Sequence, residues 1–316
     1  MGKTAVLFSG QGSQYSEMGL DLYAKDPLFK ETLDQINEQI AGFDLLDVLA
    51  DRAGQLALTK YQQPAIVALS LGLYAMVHRD LPELEIGGMV GLSLGEYAAL
   101  IAARALPQEQ GIQALEKRAQ LMQLDADESD SKMAALLKPD VAQIEAICQS
   151  MQAKGKIVAV SNYNSPKQVV IGGQSQAVSE ALTEIQAQKA AKRVVELPVS
   201  GAFHTPLFAN ASAKMAPVLA KLNVADPVVP VISNTTGQPF SRQNIAQTLV
   251  DQIVSPTHFA DCLSYLIENE GVDTTLELGP GATLTQFAKQ VDRKLVRYQV
   301  ENYETYQAFL DEIRGN

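Results

Sequence analysis

Ser93 stands in Gly91-Leu92-Ser93-Leu94-Gly95, which fits the pattern G-x-S-x-G. The pattern is short enough to arise by chance, so its setting decides. Residues 86–90 read as a strand and residues 96–105 as a very apolar helix. Ser93 therefore falls on a strand-to-helix turn, where a nucleophile elbow holds its serine. Glycines on both sides permit the tight turn, and the following helix N-terminus favours negative charge beside the hydroxyl. A serine in that place needs a base, and the chain offers three histidines. His78, between Val77 and Arg79, reads as the exposed end of a helix, where a cation is simply favourable. His258 follows Ser255-Pro256-Thr257 at a helix start. His204 follows a strand in the turn-rich stretch Ser200-Gly201-Ala202-Phe203-His204-Thr205-Pro206, the usual setting of a catalytic base on a rigid scaffold. Each histidine taken alone fits a structural role, and His204 is the first choice for the base.

Two further features could serve the same chemistry. The first strand ends in Ser9-Gly10-Gln11-Gly12-Ser13-Gln14. A dinucleotide fingerprint fails there, because the third glycine position holds Tyr15. A Gly-Gln-Gly turn at the end of a strand can instead aim a backbone N–H at a developing oxyanion, together with the N–H of the residue after the nucleophile. That reading pairs Gln11 with Leu94, and a plain turn is the equal alternative. In the helix expected over residues 111–124, Ile112, Leu115, Ala119 and Met122 form one stripe with Arg118 at its edge, while Lys117 points away. A half-hidden arginine calls for a carboxylate, from the protein or from a substrate.

The elements that must position these residues alternate between strand-length apolar runs and longer helical patterns. Residues 5–8 read as a strand, the stretch from Met18 onward as helical, and 64–77 as a buried helix. That order is the signature of a parallel sheet covered by helices. Between 132 and 199 the pattern becomes βαββαβ, the order of a ferredoxin-like unit, preceded by a loop-like acidic run over 125–130. Strand-like segments return at 228–233 and 274–278. The expected architecture is α/β: a large domain of residues 1–131 and 200–316 with a parallel sheet core, and an inserted ferredoxin-like small domain of residues 132–199.

Composition narrows the functional classes. A chain of 316 residues with 47% hydrophobic content can bury a large core and a smaller satellite. A formal net charge of -11 argues against nucleic acid, since phosphate binding needs a basic surface. No apolar run reaches membrane-spanning length, no signal-peptide pattern opens the sequence, and a myristoylation match fails at Val6. Cys148 and Cys262 lack metal-ligand spacing and read as reduced packing residues. A cytoplasmic protein without metal or cofactor is expected.

Phe8-Ser9-Gly10-Gln11-Gly12-Ser13-Gln14, Gly91-Leu92-Ser93-Leu94-Gly95-Glu96-Tyr97, the Arg118 helix, Asn162-Tyr163-Asn164-Ser165-Pro166, Phe203-His204 and Leu278-Gly279-Pro280-Gly281 occur in one order along the chain. Together they resemble the malonyl-CoA:acyl carrier protein transacylases of bacterial fatty-acid synthesis, over essentially the whole length. The resemblance implies an α/β-hydrolase-like large domain with a ferredoxin-like insert, and a ping-pong reaction through a malonyl-serine ester. It implies malonyl-CoA and an acyl carrier protein as partners, and a monomer is expected. By motif position Ser93 is the nucleophile, His204 the base, Gln11 and Leu94 the oxyanion donors, and Arg118 the partner of the malonyl carboxylate. The family orients its histidine with a backbone carbonyl, which the matching segment assigns to Gln252. Ala202-Phe203-His204 resembles the malonyl-selective form of the motif in related polyketide acyltransferases, and Met122, on the Arg118 stripe, joins Phe203 in the substrate-binding set.

Two departures stand out: Leu92 replaces a histidine common in relatives, and the loop before Met133 reads Ser131-Lys132. A thioesterase would share the elbow and base but admit water to the acyl-enzyme, and a non-catalytic carrier-binding module would not need the Ser93, His204 and Arg118 set. The family's carrier is acidic, so a basic patch is expected to dock it, and Lys189, Lys192 and Arg193 form the densest one.

Overall fold

A computed structural model describes residues 2–315. The first strand, β1 (Thr4–Phe8), is buried along its whole length. Helices α1 (Leu20–Lys25) and α2 (Pro27–Gln39) are divided at Asp26, whose extended backbone ends the first and whose carboxylate caps the second through the N–H groups of Leu28 and Phe29. Asp44 caps α3 (Leu45–Ala50) in the same way. The long helix α4 (Thr59–Asp80) is buried on most of its faces, as its unbroken run of small and aliphatic residues requires. Then come β2 (Ile86–Gly91), α5 (Gly95–Ala102) and α6 (Gln108–Glu128).

The acidic run expected to be a loop from residue 125 continues α6 to Glu128 instead. Asp125 is buried, and its carboxylate accepts the backbone N–H of Ala211 at 2.8 Å, while Gln123 and Asp127 bond across one turn at 2.7 Å. Sequence polarity suggested solvent; the carboxylate is spent on capping another helix.

Next lie β3 (Ser131–Pro139), α7 (Val141–Gln152), β4 (Val158–Ser165), β5 (Gln168–Gln174), α8 (Ser175–Ala187) and β6 (Ala191–Glu196). These strands form one antiparallel sheet in the order β4-β5-β3-β6. Alternation along β3 divides its labour: Ala134 and Leu136 face α7 and α8 in one core, while Met133 and Ala135 join the main core beside Ala202 and Phe203.

The chain then supplies α9 (Ala209–Leu219), which Asp125 caps, α10 (Ile245–Asp251), α11 (Phe259–Glu270), β7 (Thr274–Leu278), α12 (Thr283–Val291), β8 (Val296–Val300) and α13 (Tyr303–Arg314). The large sheet is parallel in the order β2-β1-β7-β8. The strand expected over 228–233 reduces to single bridges from Val231 to Met89 and from Ile232 to Pro239. Pro227 and Pro230 have no N–H to give a ladder, although the Pro230 carbonyl still accepts from Met89 at 2.8 Å. Phe8 is in register with both Gly91 and Leu278, so the turns that follow β1, β2 and β7 emerge together at the carboxyl edge of the sheet. That edge is where open parallel sheets place their ligands. No described helix is long and apolar enough to cross a membrane.

Candidate active site

The elbow around Ser93 is built by close packing. A Cβ on Gly91 would overlap the backbone carbonyl of Gly95, and one on Gly95 would lie 2.5 Å from the Phe8 carbonyl oxygen. Both positions therefore need glycine. Ser93 itself adopts φ 54°, a left-handed conformation that costs a non-glycine residue about 1–3 kcal/mol and has to be held by its surroundings. Leu92 N–H donates to the Phe8 carbonyl at 3.1 Å, and Ser93 N–H donates to Asn234 Oδ1 at 2.9 Å.

His204 enters from the loop that follows β6. Ser131 Oγ accepts the N–H of Ala202 at 3.1 Å, Thr205 donates its hydroxyl to the Ala202 carbonyl at 2.6 Å, and Phe203 packs on Phe208 with ring centroids 5.0 Å apart. The departure at Ser131 thus ties β3 to the histidine loop. His204, also left-handed at φ 62°, lies with Nε2 2.8 Å from Ser93 Oγ and Nδ1 2.8 Å from the backbone carbonyl of Gln252. A carbonyl only accepts, so Nδ1 carries the proton and Nε2 turns a lone pair to the serine. Burial, reinforced by the charge of Arg118, lowers the imidazole pKa to about 4, so the ring is neutral at ordinary pH.

Arg118 is 1% exposed rather than at the edge of its stripe. One terminal nitrogen donates to Ser93 Oγ at 3.0 Å and to Gln252 Oε1 at 2.8 Å; the other donates to Gln63 Oε1. Its Nε has no partner, and it forms no salt bridge among the described residues. Burial lowers its pKa from the ordinary arginine value, opposed by Tyr97 and Glu96. The protein carboxylate that the sequence left open as its partner is therefore not in contact with it; amides and a hydroxyl surround it instead.

The remaining expected residues gather around this trio. Gln252 ends α10 and supplies both the carbonyl to His204 and a side chain that bridges Arg118 and the Ser93 carbonyl. Met122 is buried one turn along α6 from Arg118, with its sulfur 3.7 Å from Gln63 Nε2. Gln11 lies on the turn after β1, where its side-chain oxygen accepts from Thr59 at 3.1 Å. The turns of Gln11 and Ser93 touch, since a Cβ on Gly10 would lie 3.0 Å from the Leu92 carbonyl oxygen. Among the described residues neither the Gln11 nor the Leu94 backbone N–H donates a hydrogen bond. Leu92 is half-buried against the core under β1 and β2.

His78 is exposed and stacks on Tyr74, and His258 stacks on Tyr163 with Nδ1 3.2 Å from Asp261; neither reaches Ser93. Sequence reasoning missed Glu96, Asn234 and Gln63 as parts of the site. Glu96 offered one signal, a carboxylate at the head of an otherwise apolar helix, and Asn234 offered none.

A neutral imidazole on a serine hydroxyl, with a buried cation beside the same oxygen, can perform nucleophilic acyl transfer to and from an anionic acyl group. Residues 6–307 match the model of the acyl transferase domain family. A Bacillus subtilis (strain 168) protein named malonyl CoA-acyl carrier protein transacylase is 33% identical over 99% of this chain and 98% of its own. A crystal structure titled MCAT from Streptococcus pneumoniae aligns with TM-score 0.92 and 36% identity, covering 98% of this chain and 100% of that one. A malonyl-transacylase solved in complex with its type II PKS acyl-carrier protein aligns with TM-score 0.91 and 31% identity, covering 98% of this chain and 100% of that one.

Proposed function

The chain belongs to the acyl transferase family, and among its members to the malonyl CoA-acyl carrier protein transacylases, and from that premise we propose that it moves malonyl from coenzyme A to the thiol of an acyl carrier protein through an ester on Ser93. In the first half-reaction Ser93 Oγ attacks the thioester carbonyl while its proton passes to His204 Nε2. The carbon–sulfur bond then breaks, and the imidazolium returns that proton to the departing coenzyme A sulfur. In the second half-reaction His204 takes the proton of the carrier thiol, whose sulfur attacks the ester, and Ser93 regains the proton as it leaves. The N–H groups of Gln11 and Leu94 are assigned to the oxyanion of each tetrahedral intermediate. Gln252 holds the histidine tautomer through its carbonyl.

The observation that carries the malonyl assignment is Arg118. A guanidinium that is 1% exposed, 3.0 Å from the nucleophile and without a protein carboxylate is suited to a carboxylate on the substrate. Phe203 is assigned to the wall beside the base that excludes an α-methyl branch, and Met122 to the same acyl pocket. The sheet order β4-β5-β3-β6, with two helices packed on one face, supports reading residues 132–199 as the ferredoxin-like small domain and residues 1–131 with 200–316 as the α/β-hydrolase-like large one. Free, buried Cys148 and Cys262 fit a cytoplasmic setting.

The test is mass spectrometry after brief mixing with malonyl-CoA. One malonyl group on the Ser93 peptide, absent from Ser93→Ala and discharged to added carrier protein, is the expected result. Labelling elsewhere overturns the assignment, and release of free malonate in place of malonyl-carrier makes the protein a hydrolase.

A further inference from the structure

The buried carboxyl of Glu96 takes no part in the chemistry above, yet the site converges on it. Glu96 is the second residue of α5 and has no exposed surface. One carboxyl oxygen accepts the backbone N–H of Asn234, and the other accepts Gln252 Nε2. Asn234 gives its side-chain oxygen to the Ser93 N–H at 2.9 Å. Gln252 Nε2 also donates to the Ser93 carbonyl at 2.9 Å, its Oε1 accepts from Arg118 at 2.8 Å, and its backbone carbonyl holds His204 Nδ1 at 2.8 Å. Nucleophile, base and cation are each one bond from Asn234 or Gln252, and both of those end on Glu96.

We propose that Glu96 is a positioning residue for acyl transfer: its carboxylate locks the Gln252 amide in the orientation that serves Arg118 and, through Asn234, holds the strained backbone of Ser93. The inference rests on the function proposed above. Its argument is one of donors and acceptors. A flipped Gln252 amide would set an oxygen against the Glu96 carboxylate and the Ser93 carbonyl, and an NH2 group against the Arg118 donor. All three contacts would fail together. With glutamine at 96 only one side-chain oxygen remains to meet two donors, so either the Asn234 arm or the Gln252 arm is released.

The charge state of Glu96 provides a readout that packing alone would not move. The ionisable groups near it are Tyr97 beside it, Arg118 from α6, His204 from the loop after β6, and Cys262 from α11. Burial pushes Tyr97 up to about 12 and the Cys262 thiol well above its ordinary value, so both stay protonated. Burial holds His204 down to about 4, so it stays neutral, and arginine keeps its charge. Burial raises Glu96 to about 8, opposed by its bonds to Asn234 and Gln252 and by the Arg118 charge. Of this cluster only Glu96 changes charge near pH 8. Its protonated form would turn an O–H toward two donors, so the organised site is the ionised one.

The experiment measures the rate of Ser93 acylation by malonyl-CoA and by acetyl-CoA between about pH 6 and 9, around the Glu96 value of about 8, in the parent and in Glu96→Gln. In the parent the malonyl rate should rise through about pH 8. In Glu96→Gln, with folding checked by near-ultraviolet circular dichroism, it should be about 100-fold lower, the scale of a 1 Å misplacement, without that rise and with a smaller malonyl-to-acetyl preference. A folded variant that matches the parent in rate and slope overturns the proposal, even if it melts earlier. If the variant does not fold, the parent's own profile decides, and a flat rate across the range overturns it. A parent that gains no malonyl group overturns the proposed function instead.

Discussion

Ser93 Oγ receives two nitrogens, His204 Nε2 at 2.8 Å and Arg118 at 3.0 Å, and only one of them can take its proton. The guanidinium donates, so the imidazole is left as acceptor, and burial keeps it neutral well below the usual histidine range. In Glu96→Gln, where the neighbouring carboxyl no longer titrates, the acid limb of acylation should therefore lie near pH 4, the value held by His204; a limb near 6.5, the ordinary value of the group, would mean that the base is solvated during turnover. Arg118→Ala should cut malonyl transfer about 10- to 150-fold, the equivalent of charge-assisted bonds of about 1.5–3 kcal/mol, and leave acetyl transfer equal or improved. Arg118→Lys should recover only part, because an ammonium cannot make two parallel bonds to a carboxylate. The ratio of kcat/KM for malonyl-CoA and acetyl-CoA checks both, and a parallel loss of the two substrates would return Arg118 to a structural role. Phe203→Ser should raise the methylmalonyl-to-malonyl turnover ratio; an unchanged ratio would remove the Phe203 ring as the gate. At this scale Ser93 was legible because an elbow writes its glycines into consecutive positions. His204 and Arg118 were legible as candidates among few. Glu96 and Asn234 were not, since they reach Ser93 through a chain of long-range bonds: Glu96 accepts the Asn234 N–H across 138 residues, and Asn234 accepts the Ser93 N–H across 141.

The elements carry these residues by tolerances of a few tenths of an ångström. Gly95 leaves only 2.5 Å between its would-be Cβ and the Phe8 carbonyl, so the helix that follows Ser93 lies directly on β1. Gly95→Ala should displace backbone rather than a flexible side chain, costing about 3 kcal/mol or more, with acylation lost along with stability. Denaturant midpoints and Ser93 labelling check it; a variant as stable and as reactive as the parent would mean the elbow shifts freely. The alternation of strands and helices was readable where burial makes a strand almost uniformly apolar, as along Ala5–Phe8 of β1. It failed where tertiary contacts overrode polarity. Asp125 is polar yet buried inside α6, Pro227 and Pro230 thin an apolar run to single bridges, and edge strand β8 carries Arg297 and Gln299 in a pattern too polar to be recognised.

The whole molecule sets a charge problem. A net charge of -11 repels any acidic partner at long range, so productive docking of a carrier needs a local reversal of sign. Lys189, Lys192 and Arg193 supply one: all three are exposed and form no salt bridge among the described residues. They lie where α8 turns into β6, the edge strand of the antiparallel sheet and the strand whose exit leads to His204. Lysines on an exposed edge also discourage strand pairing with another chain, so their presence alone does not identify a dock. The two half-reactions separate these roles, because only the second needs the carrier. Lys189→Glu combined with Lys192→Glu should slow transfer from malonyl-Ser93 to the carrier by about tenfold or more, the lower end of electrostatic steering, while acylation by malonyl-CoA stays within about twofold. Raising ionic strength should narrow the gap between parent and variant, since at 0.1 M salt exposed charges are screened beyond about 10 Å. Equal losses in both half-reactions would place the damage in the fold, and an unchanged carrier rate with new self-association would assign the lysines to guarding the edge.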